Sequence, residues 1–219
     1  MVKKRPAHRP SRRNAVVDAA VRLQSRSSAQ VTVSDIAAEA GMTAAAVYYH
    51  YASKEDILLE GLSSFSDALL EQVFGYLSPS LKRAPSQLPL HLLKWIDGDR
   101  VAAAVWFVHS NGLSMNVEAL RRETYAEMME ALVSAVRRMR RDCGMAAASV
   151  IAAALTSLLE ISARAWLSDD DTLVADIAKF QAAVAGLGER ILNSPQHRSG
   201  FPTQDNPSPQ RRTSRRASA

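Results

Sequence analysis

The sequence predicts an all-α protein, and three observations carry that prediction. Proline is confined to an arm (Pro6, Pro10), one internal break (Pro79, Pro85, Pro89) and a tail (Pro195, Pro202, Pro207, Pro209). A proline inside a helix removes a hydrogen bond and clashes with the preceding turn, so the two long proline-free gaps are where helices fit. Within those gaps, apolar residues recur at helical spacing behind capping residues, and no alternating β-branched run is long enough for a sheet. Of 219 residues 47% are apolar and 22% charged, enough for a core, which excludes wholesale disorder.

Four helices fit the first gap. Residues 12–25 place Val16, Ala20 and Leu23 on one face with Val17 and Val21 beside them, and Arg12, Arg13, Arg22 and Arg26 outside. Thr32, three residues before Asp35, makes a capping-box start for a short helix over Val33–Ala40, which Gly41 stops. Thr43 caps a third helix, Ala44–His50. Ser53 with Asp56 opens a long fourth, 53–76, carrying Ile57, Leu58, Leu62, Phe65, Leu69 and Val73. After the proline break, helices are expected over about 89–110, 115–142, 145–167 and 170–192, and the Pro-, Ser- and Arg-rich stretch 194–219 is expected to be a disordered basic tail.

Charge is unevenly spread. Residues 1–56 hold nine basic and five acidic side chains, 57–193 hold thirteen and sixteen, and 194–219 hold five and one. Basic ends around a mildly acidic middle point to an anionic polymer or surface as partner.

Two short helices joined by a tight turn form a DNA-reading unit when their crossing is fixed, and three residues here have the right spacing to fix it. Ala37 is small where the helices approach, Gly41 can take the left-handed conformation of the turn, and Val47 plugs the core beneath the second helix. This Ala-x-x-x-Gly-x-x-x-x-x-Val pattern is a helix-turn-helix signature, with a generic helical hairpin as the competing interpretation. Thr43 offers a hydroxyl at the second helix's start, where a phosphate would lie. Ala44 and Ala45 offer only methyl contacts to base edges, for instance to thymine. Tyr48, Tyr49 and His50 supply hydroxyl and imidazole groups, and Lys54 can clamp a phosphate. Core packing competes for Tyr48 and is the expected place of Tyr51.

The run Ile36-Ala37-Ala38-Glu39-Ala40-Gly41-Met42-Thr43, then Val47-Tyr48-Tyr49-His50-Tyr51 and Ser53-Lys54-Glu55, closely resembles the DNA-binding domain of the tetracycline-repressor (TetR) family. The resemblance covers roughly residues 12–62 without a gap and includes the leading Ala19-Ala20-x-x-Leu23. It implies that Thr43, Tyr48, His50 and Lys54 contact the DNA backbone and that Ala45 and Tyr49 face bases. One departure is the triple alanine at 44–46, in place of a polar or Gly-containing stretch. Direct base readout is then thin, leaving more to Tyr49, to DNA shape and to the basic arm. The arm residues Lys3, Lys4, Arg5, Arg9, Arg12 and Arg13 either follow phosphates or are simply solvated.

The expected domains are therefore a basic flexible arm at 1–11, a helix-turn-helix domain at 12–56, a helical ligand-binding and dimerisation domain at 57–193, and the tail. Leu173, Ile177, Phe180, Val184, Leu187 and Ile191 step as a heptad seam, and Leu155, Leu158, Leu159, Ala163 and Trp166 line the helix before it. Paired with a symmetry mate, these helices give a four-helix bundle; the seam can equally be used inside one chain. The family resemblance implies the homodimer. Trp95, Trp106, His109, Tyr125 and Met128 mix large apolar groups with a few polar ones, as suits an apolar effector, though Met and Trp at helical spacing also make plain core.

Enzymatic chemistry is not expected, and neither is a cofactor or a metal. The five histidines are scattered with no metal-binding spacing, no glycine-rich phosphate loop occurs, and Cys143 is the lone cysteine. The longest uncharged stretches, Val101–Val117 and Cys143–Leu159, fall short of the ~20 apolar residues of a spanning helix, and Asp18 interrupts the first apolar run before it makes a signal core. No membrane partner is expected, and a cytoplasmic setting fits. The functional expectation is a homodimeric repressor that binds double-stranded DNA at a palindromic operator and leaves it when a small apolar ligand binds. The alternatives are a ligand-independent regulator or architectural factor, and a helical interaction protein that does not bind DNA.

Overall fold

The computed structural model describes residues 11–26, 31–168 and 176–194. The N-terminal arm, the tail beyond 194 and Leu173 lie outside the described residues. In chain order the helices are α1 (Arg12–Arg26), α2 (Val33–Glu39), α3 (Ala44–Tyr48), α4 (Lys54–Tyr76), α5 (Leu88–Ile96), α6 (Arg100–Ala104), α7 (Met115–Met139), α8 (Met145–Leu167) and α9 (Ile177–Leu192). No strand occurs among the described residues.

Two apolar cores organise them. Val16, Ala19, Ala20, Val31, Ile36, Ala37, Val47, Tyr51, Ile57 and Leu58 form the first, which holds α1, α2 and α3 on the start of α4. The second runs from Leu62 along α4 through α5, α7, α8 and α9. Helix α1 serves both: Val21 belongs to the second core, and Val17 packs against each. The joint is tight at Gly61, where a Cβ would lie 2.7 Å from Val21 Cγ2 and 3.0 Å from Val17 Cγ1. A polar strap crosses the same joint. Arg13 Nε donates to Glu60 Oε1 at 2.9 Å, and the Arg13 guanidinium lies 4.8 Å over the Tyr51 ring.

The single helix expected over 89–110 is broken. Asp97, Gly98 and Asp99 form a 3-10 turn, and Asp99 restarts the chain as α6 by accepting from the Ala102 amide at 3.2 Å. Asp97 is held there by Trp166 Nε1 and by Arg100, each donating to its Oδ1 at 2.8 Å. A π-helical turn, Val105–His109, follows. The break has a local signal in Asp-Gly followed by a capping aspartate, and the tertiary partners hold it. At the other end of the body, α9 lies on the turn Pro85–Gln87: Glu189 accepts from Ser86 Oγ at 2.8 Å and Gln87 Nε2 at 2.7 Å, and these donors hold its carboxyl below the usual range. Any side chain at Gly188 would collide with the Ser86 carbonyl oxygen.

Helix α8 corrects one expectation. By length and composition it is long and apolar enough to cross a membrane, because Glu160 and Arg164 interrupt the uncharged run without ending the apolar one. Much of it is nonetheless core, with Leu155, Leu158, Leu159, Ala163 and Trp166 buried in the chain itself. Glu160 faces Arg121 of α7 at 3.7 Å.

Candidate nucleic-acid interface

The turn between α2 and α3 is built as its residues dictate. Thr32 and Asp35 close a reciprocal cap at the start of α2, which also holds the Asp35 carboxyl below its usual range. At the far end Gly41 takes φ +65°, the Met42 amide donates to Ala37 O at 2.8 Å, and the Gly41 amide donates to Ala38 O at 3.1 Å. That pair of bonds is a Schellman ending, and it aims the chain directly into α3. Val47 is fully buried beneath the turn and Ala37 nearly so.

The expected DNA-facing residues divide into three groups. Thr43, Ala45, Tyr48, Tyr49 and His50 are exposed on one end of the molecule, with Tyr48 at 57% and Tyr49 at 86%. Thr43 Oγ1 accepts from the Ala46 amide at 3.2 Å, so its hydroxyl proton is left to donate outward. The Tyr49 and His50 rings meet edge to face at 5.1 Å, which gives the exposed corner some rigidity. Ala44 is half-buried and packs against the first core, because it stands one turn before Val47 on the same face. Lys54 is drawn inward too. Its ammonium donates to the Val31 carbonyl at 3.1 Å, tying the start of α4 to the segment before α2. Arg13 is likewise engaged with Glu60 rather than projecting with the arm.

Tyr51 is buried, as expected. Burial first and the Glu60 carboxylate second push its phenol up to about 12, so it stays neutral, while Arg13 holds Glu60 low. These three groups form one small cluster between α1, α4 and the end of the α3 segment.

Of the expected ligand residues, Trp95, Trp106 and Tyr125 are brought together through Phe65. The ring centroids run Trp95–Phe65 at 5.3 Å, Phe65–Trp106 at 5.7 Å and Trp106–Tyr125 at 6.4 Å. Trp106 and Met128 are fully buried, and His109 is half-buried at the end of the π turn. Trp106 Nε1 and the Tyr125 hydroxyl, like the Tyr51 hydroxyl in the first core, are buried without a hydrogen bond of good geometry among the described residues, although Glu160 lies near Tyr125. Each such group costs about 1–3 kcal/mol. Burial, and then the nearby Glu160 carboxylate, push the Tyr125 phenol up. Sequence reasoning passed over Arg121, which is buried between the Trp106 and Tyr125 rings and donates to Trp106 O and Ser110 Oγ. A signal was present: Arg121, Tyr125, Met128 and Leu132 step by four, three and four along one stripe of α7.

The seam assigned to a second copy is largely consumed within the chain. Leu155, Leu159, Trp166 and Val184 are buried, and Phe180 stacks on Trp166 at 5.7 Å. The stripe is real, but its partner is the body of the same chain. Only Ile177 and Leu187 of the described seam stay exposed, at 58% and 40%. The opposite face of α8 carries Val150 and Ile161, at 69% and 68% exposed, with small residues between them.

The sequence profile described as bacterial regulatory proteins, tetR family, matches residues 16–60. The chain is 35% identical over 136 residues to the HTH-type transcriptional regulator BetI of Agrobacterium fabrum, an overlap of 61% of this chain and 62% of that protein. It therefore spans under two thirds of the length of that relative. The fatty acid degradation regulator FadR of Bacillus halodurans shares the fold with a TM-score of 0.64 at 17% identity, covering 90% of this chain and 100% of that one. The FadR of Bacillus subtilis, solved with stearoyl-CoA, gives 0.62 at 15% identity, covering 84% and 99%. The capped helix pair crossing at Ala37, Gly41 and Val47 lies inside residues 16–60, so that segment is a DNA-binding domain of the tetR type, carried on a helical body that shares its fold with solved regulators.

Proposed function

We propose that the chain is a homodimeric repressor that reads a palindromic operator with α3 and leaves it when a small apolar effector binds the helical body. The observation that carries the reading is the exposed corner of Thr43, Ala45, Tyr48, Tyr49 and His50, held rigid by a closed helix-turn-helix core. An aromatic side chain exposed at 86% has no role in the chain's own packing. Residues 12–56 form the reading head and 57–193 the body, with α1 and Gly61 as the joint.

Dimerisation is supported by the outer face of α8 and α9. Val150, Ile161, Ile177 and Leu187 leave apolar surface uncovered on a helix pair whose other side is already packed. A twofold mate covers such a face and sets two heads at half-site spacing. The effector reading is supported by the aromatic run from Trp95 to Tyr125, which gathers large apolar groups around a few polar ones. A structural neighbour of the same fold was solved with stearoyl-CoA, a ligand with a long apolar chain.

Selection of binding sites from a random duplex pool tests the reading, with the full chain beside a Tyr49→Ala variant. The expected result is an inverted repeat enriched by the parent chain and weakened at least tenfold in the variant, about 1.4 kcal/mol. Salt-sensitive, sequence-blind retention by both overturns operator reading. An operator complex that no apolar ligand releases favours the ligand-independent regulator.

A further inference from the structure

A cleft of about 560 Å³ opens where the two cores meet, between α1, the middle of α4, and α5–α6. That is within the range of small-molecule sites. It adjoins the corner of Trp106, Tyr125 and Arg121, none of which lines it, and shares Phe65 and Trp95 with the aromatic run. Its apolar wall is Val17, Phe65, Trp95 and Val101, and Val101 is 41% exposed at the rim.

Three carboxylates line it: Asp18 from α1, Glu60 from α4 and Asp99 ahead of α6. The one cation on the wall is Arg22, and Arg22 Nε is answered by Glu39 at 3.2 Å. Glu60 is answered by Arg13. Asp18 has no ion pair or hydrogen bond to any described residue, and Asp99 holds only the Ala102 amide. The cleft thus carries two uncompensated negative charges beside two aromatic faces. Asp18 and Asp99 are exposed at the rim, where water screens them in part, so their pull on a ligand is modest in energy but clear in sign. A cation gains from the carboxylates through Coulomb attraction and from the rings through their quadrupoles.

We propose that this interdomain cleft is a binding site for a lipophilic organic cation, with the charge beside Asp18 and Asp99 and the apolar body against Phe65 and Trp95. The site goes beyond the effector reading and does not depend on operator binding. Helix α1 supplies both a wall of the cleft and part of the first core, so the ligand would sit at the joint between head and body.

Two probes of the same shape and opposite charge test it: tetraphenylphosphonium and tetraphenylborate, titrated by calorimetry into the full chain without DNA. The expected result is at least tenfold tighter binding of the phosphonium. In Asp18→Asn/Asp99→Asn that preference falls at least tenfold, while the melting temperature stays close to the parent value because asparagine also caps α6. Ser64→Leu, which fills the cleft from an exposed position on α4, is expected to weaken the phosphonium by a similar factor. Equal binding of both probes, or phosphonium binding unchanged in the double variant and in Ser64→Leu, overturns the proposal. So does the absence of phosphonium binding.

Discussion

Gly41 holds φ +65° with open space where a Cβ would stand, so only the backbone objects to a side chain there. Gly41→Ala is expected to cost about 1 kcal/mol, lowering the melting temperature by roughly 2–4 °C for a chain of this size. Gly41→Asn, which tolerates the left-handed region, should cost less; two equal losses in thermal melts would show that space rather than backbone is limiting. At this scale the sequence was widely legible. Thr32, Thr43 and Ser53 cap the helices they precede, since a cap depends on neighbours three residues away. The contacts that Lys54, Ala44 and Arg13 make within the chain were not legible, for the opposite reason. Their partners are Val31, the first core and Glu60, and only folding brings these near.

Among elements, α8 is the informative case. Its apolar residues surround it, so spacing alone does not say which stripe faces the chain's own body. The structure turns Leu155 and Leu159 inward and Val150 and Ile161 outward. The two stripes should therefore respond differently. Leu155→Ala removes a buried side chain and is expected to destabilise the fold by about 2–5 kcal/mol, read by urea denaturation. Val150→Glu/Ile161→Glu should leave the secondary structure intact and convert the proposed dimer to a monomer in sedimentation equilibrium. A double variant that remains dimeric would move the interface elsewhere. The break at Asp97–Asp99 was written locally, in an Asp-Gly turn and a capping aspartate, and Trp166 Nε1 secures it from 69 residues away.

For the whole molecule, stability is linked to protons through groups that pin its parts together. His91 stacks on Tyr76 at 4.6 Å, and burial, followed by Arg83 and Lys94, lowers its pKa. The unfolded chain then binds that proton more readily than the folded one. The contribution of His91 is complete above the ordinary imidazole value of about 6.5 and is lost as pH falls through the lower folded value. Urea midpoints should drop on acidification in that window, and His91→Phe, which keeps the stacking, should flatten the slope. The depressed carboxyls of Glu60 and Glu189 have the same sign at lower pH, their stabilisation fading only below the glutamate range near ~4.3. An unchanged slope in His91→Phe would assign the pH dependence to other groups.

The sequence by itself determined that the chain is all-α, where the helices of the first core begin and end, and how α2 turns into α3. Caps, the left-handed glycine and helical periodicity act over a few residues, so these features are written locally. Tertiary structure alone decided which face of α8 is core, that Arg121 is buried against the Trp106 and Tyr125 rings, and that a carboxylate-lined cleft opens where α1 crosses α4. Each depends on contacts between residues far apart in the chain, whose energies local pattern does not contain.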